Sequence, residues 1–357
     1  MEYEERDYRL WLSSLMPYNP KGLRMLVKKF GSAESVYFSD KNKFKELSVS
    51  EKVWELVRNS QRNISKTKKS LYERGIWFKV LGESGMPEIF EHFDDLPFIL
   101  FGIGSERVLN TQHALGVVGS RKMTEYGQVQ VKRLLREVLR DNSVTVVSGM
   151  ARGIDSLAHW EAINANAGTI AVLGNGVDVC YPAENRALYK KILDSKSVII
   201  SEYFPGTNPK VGFFPMRNRI IAAMSDALFV VEAGVKSGTL ITANAALNYG
   251  KNLGVLPGRV DMPNSLGALK LIKDGAEPII DHRDLRQLLG MSELDLPATN
   301  DFESEIILNS LSGGPKMFDE MVYLTELDRT VLLAKIGEMI MEGKILDSGT
   351  GFYTSAV

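Results

Sequence analysis

The chain has 357 residues, 44% hydrophobic and 24% charged, enough to bury a sizeable core and, by length, to form two or three domains. It opens on acids rather than on a basic stretch followed by an apolar run, and no uncharged apolar segment reaches about 18 residues, so secretion and membrane insertion are not expected. Its one cysteine, Cys180, excludes an internal disulfide and a multi-cysteine metal site, and a cytoplasmic setting is expected.

The net charge of −1 hides a gradient. Residues 116–260 carry 17 basic and 11 acidic side chains, whereas residues 261–357 carry 8 and 17. A polyanion should prefer the middle, and the acidic tail should face another partner. Solvated surface charge accounts for so modest an imbalance about as well.

In chain order, Tyr8, Leu10, Leu12, Leu15 and Met16, then Leu23, Leu26, Val27 and Phe30, then Val53, Leu56 and Val57 recur at three- and four-residue spacings. This predicts a small helical domain over residues 1–75. Gly22 and Gly31 bracket one of its helices, with Lys28 and Lys29 at the end where cations complement the dipole. The pattern suits a SAM or helix-hairpin-helix-like module, in which packing outranks a DNA contact. Residues 76–110 are expected to hold a short strand, IWFKVL, and a proline-containing connector, MPEIFEHFDDLPFILFGIG.

From residue 114, the runs ALGVVGS, VTVVSGM, TIAVLGN, VIISE, DALFVVEA and NLGVLPG alternate with helical patterns. Six such repeats predict right-handed βαβ units and a doubly wound, mostly parallel sheet within a domain over residues 76–283. Residues 284–303, polar around Pro297 and Asn300, read as a linker. Residues 304–357 read as three helices and a hairpin, the order of a winged helix, with Gly349 and Gly351 at the wing turn.

The ends of these strands carry the chemistry, because open α/β sheets bind ligands outside the carboxyl ends of their strands. The first ends in Gly119-Ser120-Arg121-Lys122, the second in Gly149-Met150-Ala151-Arg152-Gly153, and the third leads to Tyr181. Arg217-Asn218-Arg219 follow the fourth and Lys236-Ser237-Gly238-Thr239 the fifth. Glycine lets the backbone approach an anion, hydroxyls donate, and arginine grips phosphate bidentately. Neither GxGxxG nor GxxxxGK[ST] is present in its required form, so dinucleotides and ATP lose their usual signatures and no cofactor is expected. Several phosphates spread over several loops describe a nucleic acid backbone, with Tyr126, Tyr181, Phe213 and Phe214 available for base stacking. Core packing outranks stacking for any one of these rings, and only Tyr181 is assigned to the site.

No catalytic residue and no metal site is assigned. His92, His113, His159 and His282 form no metal-binding pattern. His159, on an apolar helix face, is more often a structural residue than a base, and Cys180 lacks an identifiable base. Asp155 and Glu232 could form an acid/base pair, but ordering arginines and capping loops is the commoner use of such carboxylates.

The successive segments GVVGSRKMTEYG, VVSGMARGIDSLAH, GTIAVLGNGVDVCYPAEN, FFPMRNRIIAAMSDALFVVEAGVKSGTLITANAALNYGKNLGVLPG and LIKDGA, over about residues 115–280, resemble the signatures of the DNA-processing protein A family (DprA, also called Smf). The resemblance implies a Rossmann-like core that binds single-stranded DNA without sequence preference, forms a homodimer, and loads the RecA recombinase onto incoming strands in natural transformation. By motif matching it implies phosphate binding by Arg121, flanked by Gly119 and Ser120, and roles for Arg217, Asn218, Arg219, Ser237, Gly238 and Thr239. One departure is Leu269, where the family's SxGxN pattern has asparagine, which removes a polar contact from the expected loop. The tail, with 4 basic and 10 acidic residues over 301–357, does not suit the DNA-reading role of a winged helix, and a protein contact or packing role is expected there.

Two other readings compete. A nucleoside-monophosphate phosphoribohydrolase would use Glu232 as its acid, but its paired glycines before Gly-Thr are replaced by Val235, Lys236 and Ser237 ahead of Gly238, and Ile241-Thr242 stand after them. A scaffold acting only through its C-terminal module is the third.

Overall fold

The structure is a computed structural model that describes residues 3–60, 63–291, 302–341, 343–349 and 351–356. Two compact units divide the chain, Met1–Glu293 and Leu294–Val357. The first opens with α1 (Glu5–Leu15), α2 (Pro20–Phe30), α3 (Ala33–Phe38), α4 (Lys41–Glu46), α5 (Glu51–Arg58) and α6 (Ile64–Glu73). These enclose Tyr8, Trp11, Leu12, Leu26, Val36 and Phe44. Gly22 lies inside α2 and does not bracket it; Asn19 caps that helix through the Gly22 amide, Pro20 supplies its first turn, and Gly31, at φ +87, closes it. The helices are tied to the α/β part of the same unit, since Arg24 of α2 donates to the carbonyls of Phe90 and Leu96.

The α/β part runs β1 (Trp77–Val80), α7 (Ile89–His92), β2 (Ile99–Gly104), β3 (His113–Gly119), α8 (Glu125–Val138), β4 (Val144–Ser148), α9 (Ile154–Asn164), β5 (Gly168–Val172), α10 (Arg186–Leu193), β6 (Val198–Ser201), α11 (Phe213–Met224), β7 (Ala227–Val231), α12 (Thr239–Asn248), β8 (Asn252–Val255), α13 (Leu266–Lys273), β9 (Glu277–Pro278) and α14 (His282–Leu288). Its strands form one sheet in the order β1-β2-β6-β5-β4-β3-β7-β8-β9. From β6 to β9 every pairing is parallel, while β1 with β2 and β2 with β6 are antiparallel. The six strands predicted from the β-branched runs are β3 to β8.

Two further expectations are corrected. The connector contains β2: Phe98, Ile99, Leu100 and Phe101 are all buried, and a continuous apolar run covered on both faces makes a sheet strand. Pro97 precedes β2 and does not interrupt it. The expected linker begins with α14, whose Leu285 and Leu288 join the core that backs β3 and β7, followed by buried Leu289 and Met291. Its part over residues 292–301 lies outside the described residues.

The strand order reverses between β3 and β7, because from β3 the chain steps outward first through β4, β5 and β6 and later through β7, β8 and β9. At such a switch point the flanking loops part and leave a crevice at the carboxyl ends. Gly119 and Val231, the last residues of β3 and β7, pair across it.

The second unit comprises α15 (Phe302–Leu311), β10 (Lys316–Met317), α16 (Phe318–Thr325), α17 (Arg329–Met341), β11 (Ile345–Asp347) and β12 (Phe352–Ser355), with sheet order β10-β12-β11 around Ile307, Met321, Leu332 and Ile336. Gly349 and Gly351, at φ +71 and +83, turn the chain between β11 and β12. Among the described residues no helix is long and apolar enough to cross a membrane.

Candidate functional site

A cleft of about 850 Å³ opens at the switch point. Gly119, Ser120, Arg121 and Lys122 form one wall after β3, and Lys236, Ser237, Gly238 and Thr239 form the other after β7. Phe214, Arg217 and Asn218 of α11 line it with Tyr181. Close packing dictates the glycines: a Cβ on Gly119 would lie 2.0 Å from the Val231 carbonyl, and one on Gly153, whose φ is +78, would lie 2.3 Å from the Ser120 carbonyl. Hydrogen bonds fix the walls: the Ile154 amide of α9 donates to the Ser120 carbonyl at 3.2 Å, and the Thr239 hydroxyl of one wall donates to the Gly119 carbonyl of the other at 3.2 Å. Helices α9 and α12 begin beside the cleft and bring the partial positive charge of their starts to it, while their first amides are already engaged, Ile154 with the Ser120 carbonyl and Thr239 with the Ser237 hydroxyl, each at 3.2 Å.

The arginines divide into two kinds. Arg121 is exposed, its guanidinium 5.7 Å over the Phe214 ring, which stacks on Tyr181 at 5.4 Å with 27° between the planes. Arg217 is only 4% exposed. Its Nη1 donates to the carbonyls of Gly149, at 2.5 Å, and Val172, and its Nε to the Asn218 side chain at 3.1 Å. Gly149 is the shelf for this group, since a Cβ there would come within 2.6 Å of Cζ, Nη1 and Nη2. Burial pulls the Arg217 guanidinium down to about 10, opposed by Asp155, so it keeps its charge at neutral pH. Burial raises the Asp155 carboxyl, with Arg217 pulling the other way.

Other expected residues lie elsewhere. Arg219 turns away from the cleft and pairs with Glu202, both nearly inaccessible. Arg152 pairs with Glu184 at the surface, beside a recess of about 80 Å³ shared with Arg121, Gly149, Tyr181 and Arg217. Leu269 sits half-buried in α13, not in a loop, and does not line the cleft; the polar contact questioned there has no place in this loop. Phe214 and Asn264, both lining the cleft, are residues that sequence reasoning does not assign to it. The Phe214 signal is its position next to Pro215 and Arg217, but core packing outranks stacking for a ring judged by sequence alone.

Groups that could do covalent chemistry are occupied or muted. The Glu232 carboxylate accepts from the Thr124 amide at 2.9 Å and from the Thr124 hydroxyl, and it fills the space beside Gly127, so it anchors the start of α8. Burial, aided by Arg217, pushes the His159 imidazole down to about 3, and its Nδ1 meets the Thr169 hydroxyl at 2.6 Å. Burial raises the Cys180 thiol. Among the described residues no group of three His, Cys, Asp or Glu could hold a metal ion.

Residues 77–290, more than half of the chain, match the family model of DNA recombination-mediator protein A. Protein Smf of Synechocystis is 42% identical over 176 residues, which span 49% of this chain and 44% of that protein. The DNA processing protein DprA of Bacillus subtilis is 37% identical over 213 residues, 60% of this chain and 71% of that one. Among solved structures, Streptococcus pneumoniae DNA processing protein A matches with TM-score 0.69 and 28% identity, covering 80% of this chain and 98% of that one. The Helicobacter pylori protein, described by its single-stranded DNA binding mode, matches with TM-score 0.53 and 30% identity over 59% of this chain and 95% of that one.

Proposed function

Because the chain belongs to the DNA recombination-mediator protein A family, we propose that its cleft binds single-stranded DNA without sequence preference and that the bound protein hands the strand to the RecA recombinase, in the cytoplasm and as a homodimer. The observation that carries the DNA reading is the exposed Arg121 guanidinium over the Phe214–Tyr181 stack, in a cleft beside the starts of α9 and α12. An arginine in that setting can hold a phosphate while the rings take a base, and neither interaction depends on which base is present. The buried Arg217 fixes the floor, with its charge held in place before any ligand arrives.

The same cleft supports a binding role over a catalytic one. A hydrolase would need a free carboxylate, and Glu232 is engaged with Thr124. Phosphate contacts displace counterions, so affinity for oligo-dT should fall steeply with salt. Arg121→Ala should weaken binding by roughly 10- to 100-fold on every sequence, since a hydrogen bond to a charged group contributes about 1.5–3 kcal/mol. Fluorescence anisotropy across a salt series checks both, and salt-independent binding or an unaffected variant contradicts the reading.

A further inference from the structure

Tyr18, in the turn between α1 and α2, has φ +76. A bulky side chain occupies that left-handed region only where its surroundings over-determine it, and such outliers gather at ligand clamps and other working sites. Tyr18 is held by an aromatic stack that joins the N-terminal helices to the α/β part. Its ring lies 4.7 Å from Phe213 and 4.9 Å from Tyr203, and those two stack on each other at 4.3 Å. Yet Tyr18 stays 40% exposed, more than a purely structural wedge requires. Lys210 Nζ stands 5.5 Å over the Phe213 ring.

This platform adjoins the cleft in the chain: Tyr18, Phe213 and Lys210 do not line it, but Val211 and Phe214, next to Lys210 and Phe213 in sequence, do. Phe213 and Phe214 open α11 side by side in sequence; the second lies under Arg121, the first under Lys210. Val211, 89% exposed, lies between Lys210 and these rings in the chain and lines the cleft. We infer that a single strand leaving the cleft runs over this platform, where one further nucleobase stacks on Tyr18 and the adjoining phosphate meets Lys210. The inference rests on the DNA reading above. An aromatic face accepts any base, and an ammonium meets phosphate as a point charge without demanding its orientation, so the platform lengthens the binding site without making it selective.

Length dependence tests it. Anisotropy of the full chain with oligo-dT of about 6 and about 20 nucleotides separates the cleft from its extension. Tyr18→Ala is expected to weaken the longer oligonucleotide about tenfold and the shorter less than about twofold, the size of one lost base stack. Tyr18→Phe, which keeps the ring, should match the unaltered chain on both lengths. Lys210→Ala, at an exposed position, should reduce the salt slope by about one on the longer strand only. Equal losses on both lengths in Tyr18→Ala with Lys210→Ala silent would mean that the stack only supports Phe214, and would overturn the inference. So would full affinity for the longer strand in both variants. Arg121→Ala weakening both lengths marks the cleft itself, so the DNA reading fails on that variant while the platform fails on the length difference. Absence of binding by the unaltered chain overturns both.

Discussion

The two compact units differ in how they can hold charge. Two guanidinium groups of residues 1–293 are drawn inward: Arg217 rests on Gly149 beneath the cleft, and Arg219 meets Glu202 out of reach of solvent. In the C-terminal unit the Arg329–Asp319 pair lies in water, its side chains 65% and 78% exposed, while Leu333, Ile340 and Met341 of α17 are left at the surface. A buried charge must have its partners fixed before function begins, so its position is defined at the cost of desolvation. An exposed pair is screened and mobile, and contributes little. The contrast teaches where each unit can do electrostatic work: the first has preorganised cations, whereas the second offers a net acidic, partly apolar surface unsuited to a phosphate backbone.

The largest expected effect tests that contrast directly. Arg219→Ala should lower unfolding free energy by about 3–5 kcal/mol, because it leaves Glu202 charged and buried, whereas Arg329→Ala should change it by less than about 1 kcal/mol. Urea denaturation of both variants measures this; similar losses would break the comparison. The second concerns protons. His159 is held down to about 3 by burial and by Arg217, from an ordinary 6.5, so between those values the unfolded chain binds a proton that the folded one refuses. Stability should therefore fall as pH drops below 6.5, at up to about 1.4 kcal/mol per pH unit. Asp155 and Glu202, raised by burial, take up protons first in the folded chain and act with the opposite sign, so the histidine effect is read as the difference between the unaltered chain and His159→Gln. A difference that does not vary between pH 7 and 5 would contradict it. The smallest effect sharpens the division of labour: ending the chain at Glu293 should leave oligo-dT affinity within about twofold, since every residue that lines the cleft belongs to the first unit. A tenfold loss would give the acidic unit a part in binding.

Much of this is legible in the residues. The β-branched runs mark β3 to β8, and the glycines that end them mark loops that line the cleft. β2 escapes such a reading because Pro97 and Gly102 look like breaks, although a proline just before a strand is compatible with extended backbone. The opposite fates of Arg217 and Arg219 are hidden when FFPMRNR is read as a loop. Once it is helical, residues two apart lie some 200° apart around the axis, so one faces the cleft and the other the core. Glu232 does order its neighbours, the commoner use expected of such a carboxylate. Its partner Thr124, over a hundred residues away in sequence, could not be read from spacing.

The Gly149 shelf has a consequence for how the chain can vary. The Arg217 guanidinium lies so close to the Gly149 α-carbon that even a methyl group would collide with it, so the fitness effect of a change at one position depends on the residue at the other. A side chain at 149 pushes the Arg217 guanidinium off its carbonyl partners, Gly149 and Val172, or calls for a smaller residue at 217, which gives up the charge beneath the cleft. Positions 149 and 217 should therefore show epistasis, with a side chain at 149 costing more when Arg217 is present than when a smaller residue stands there.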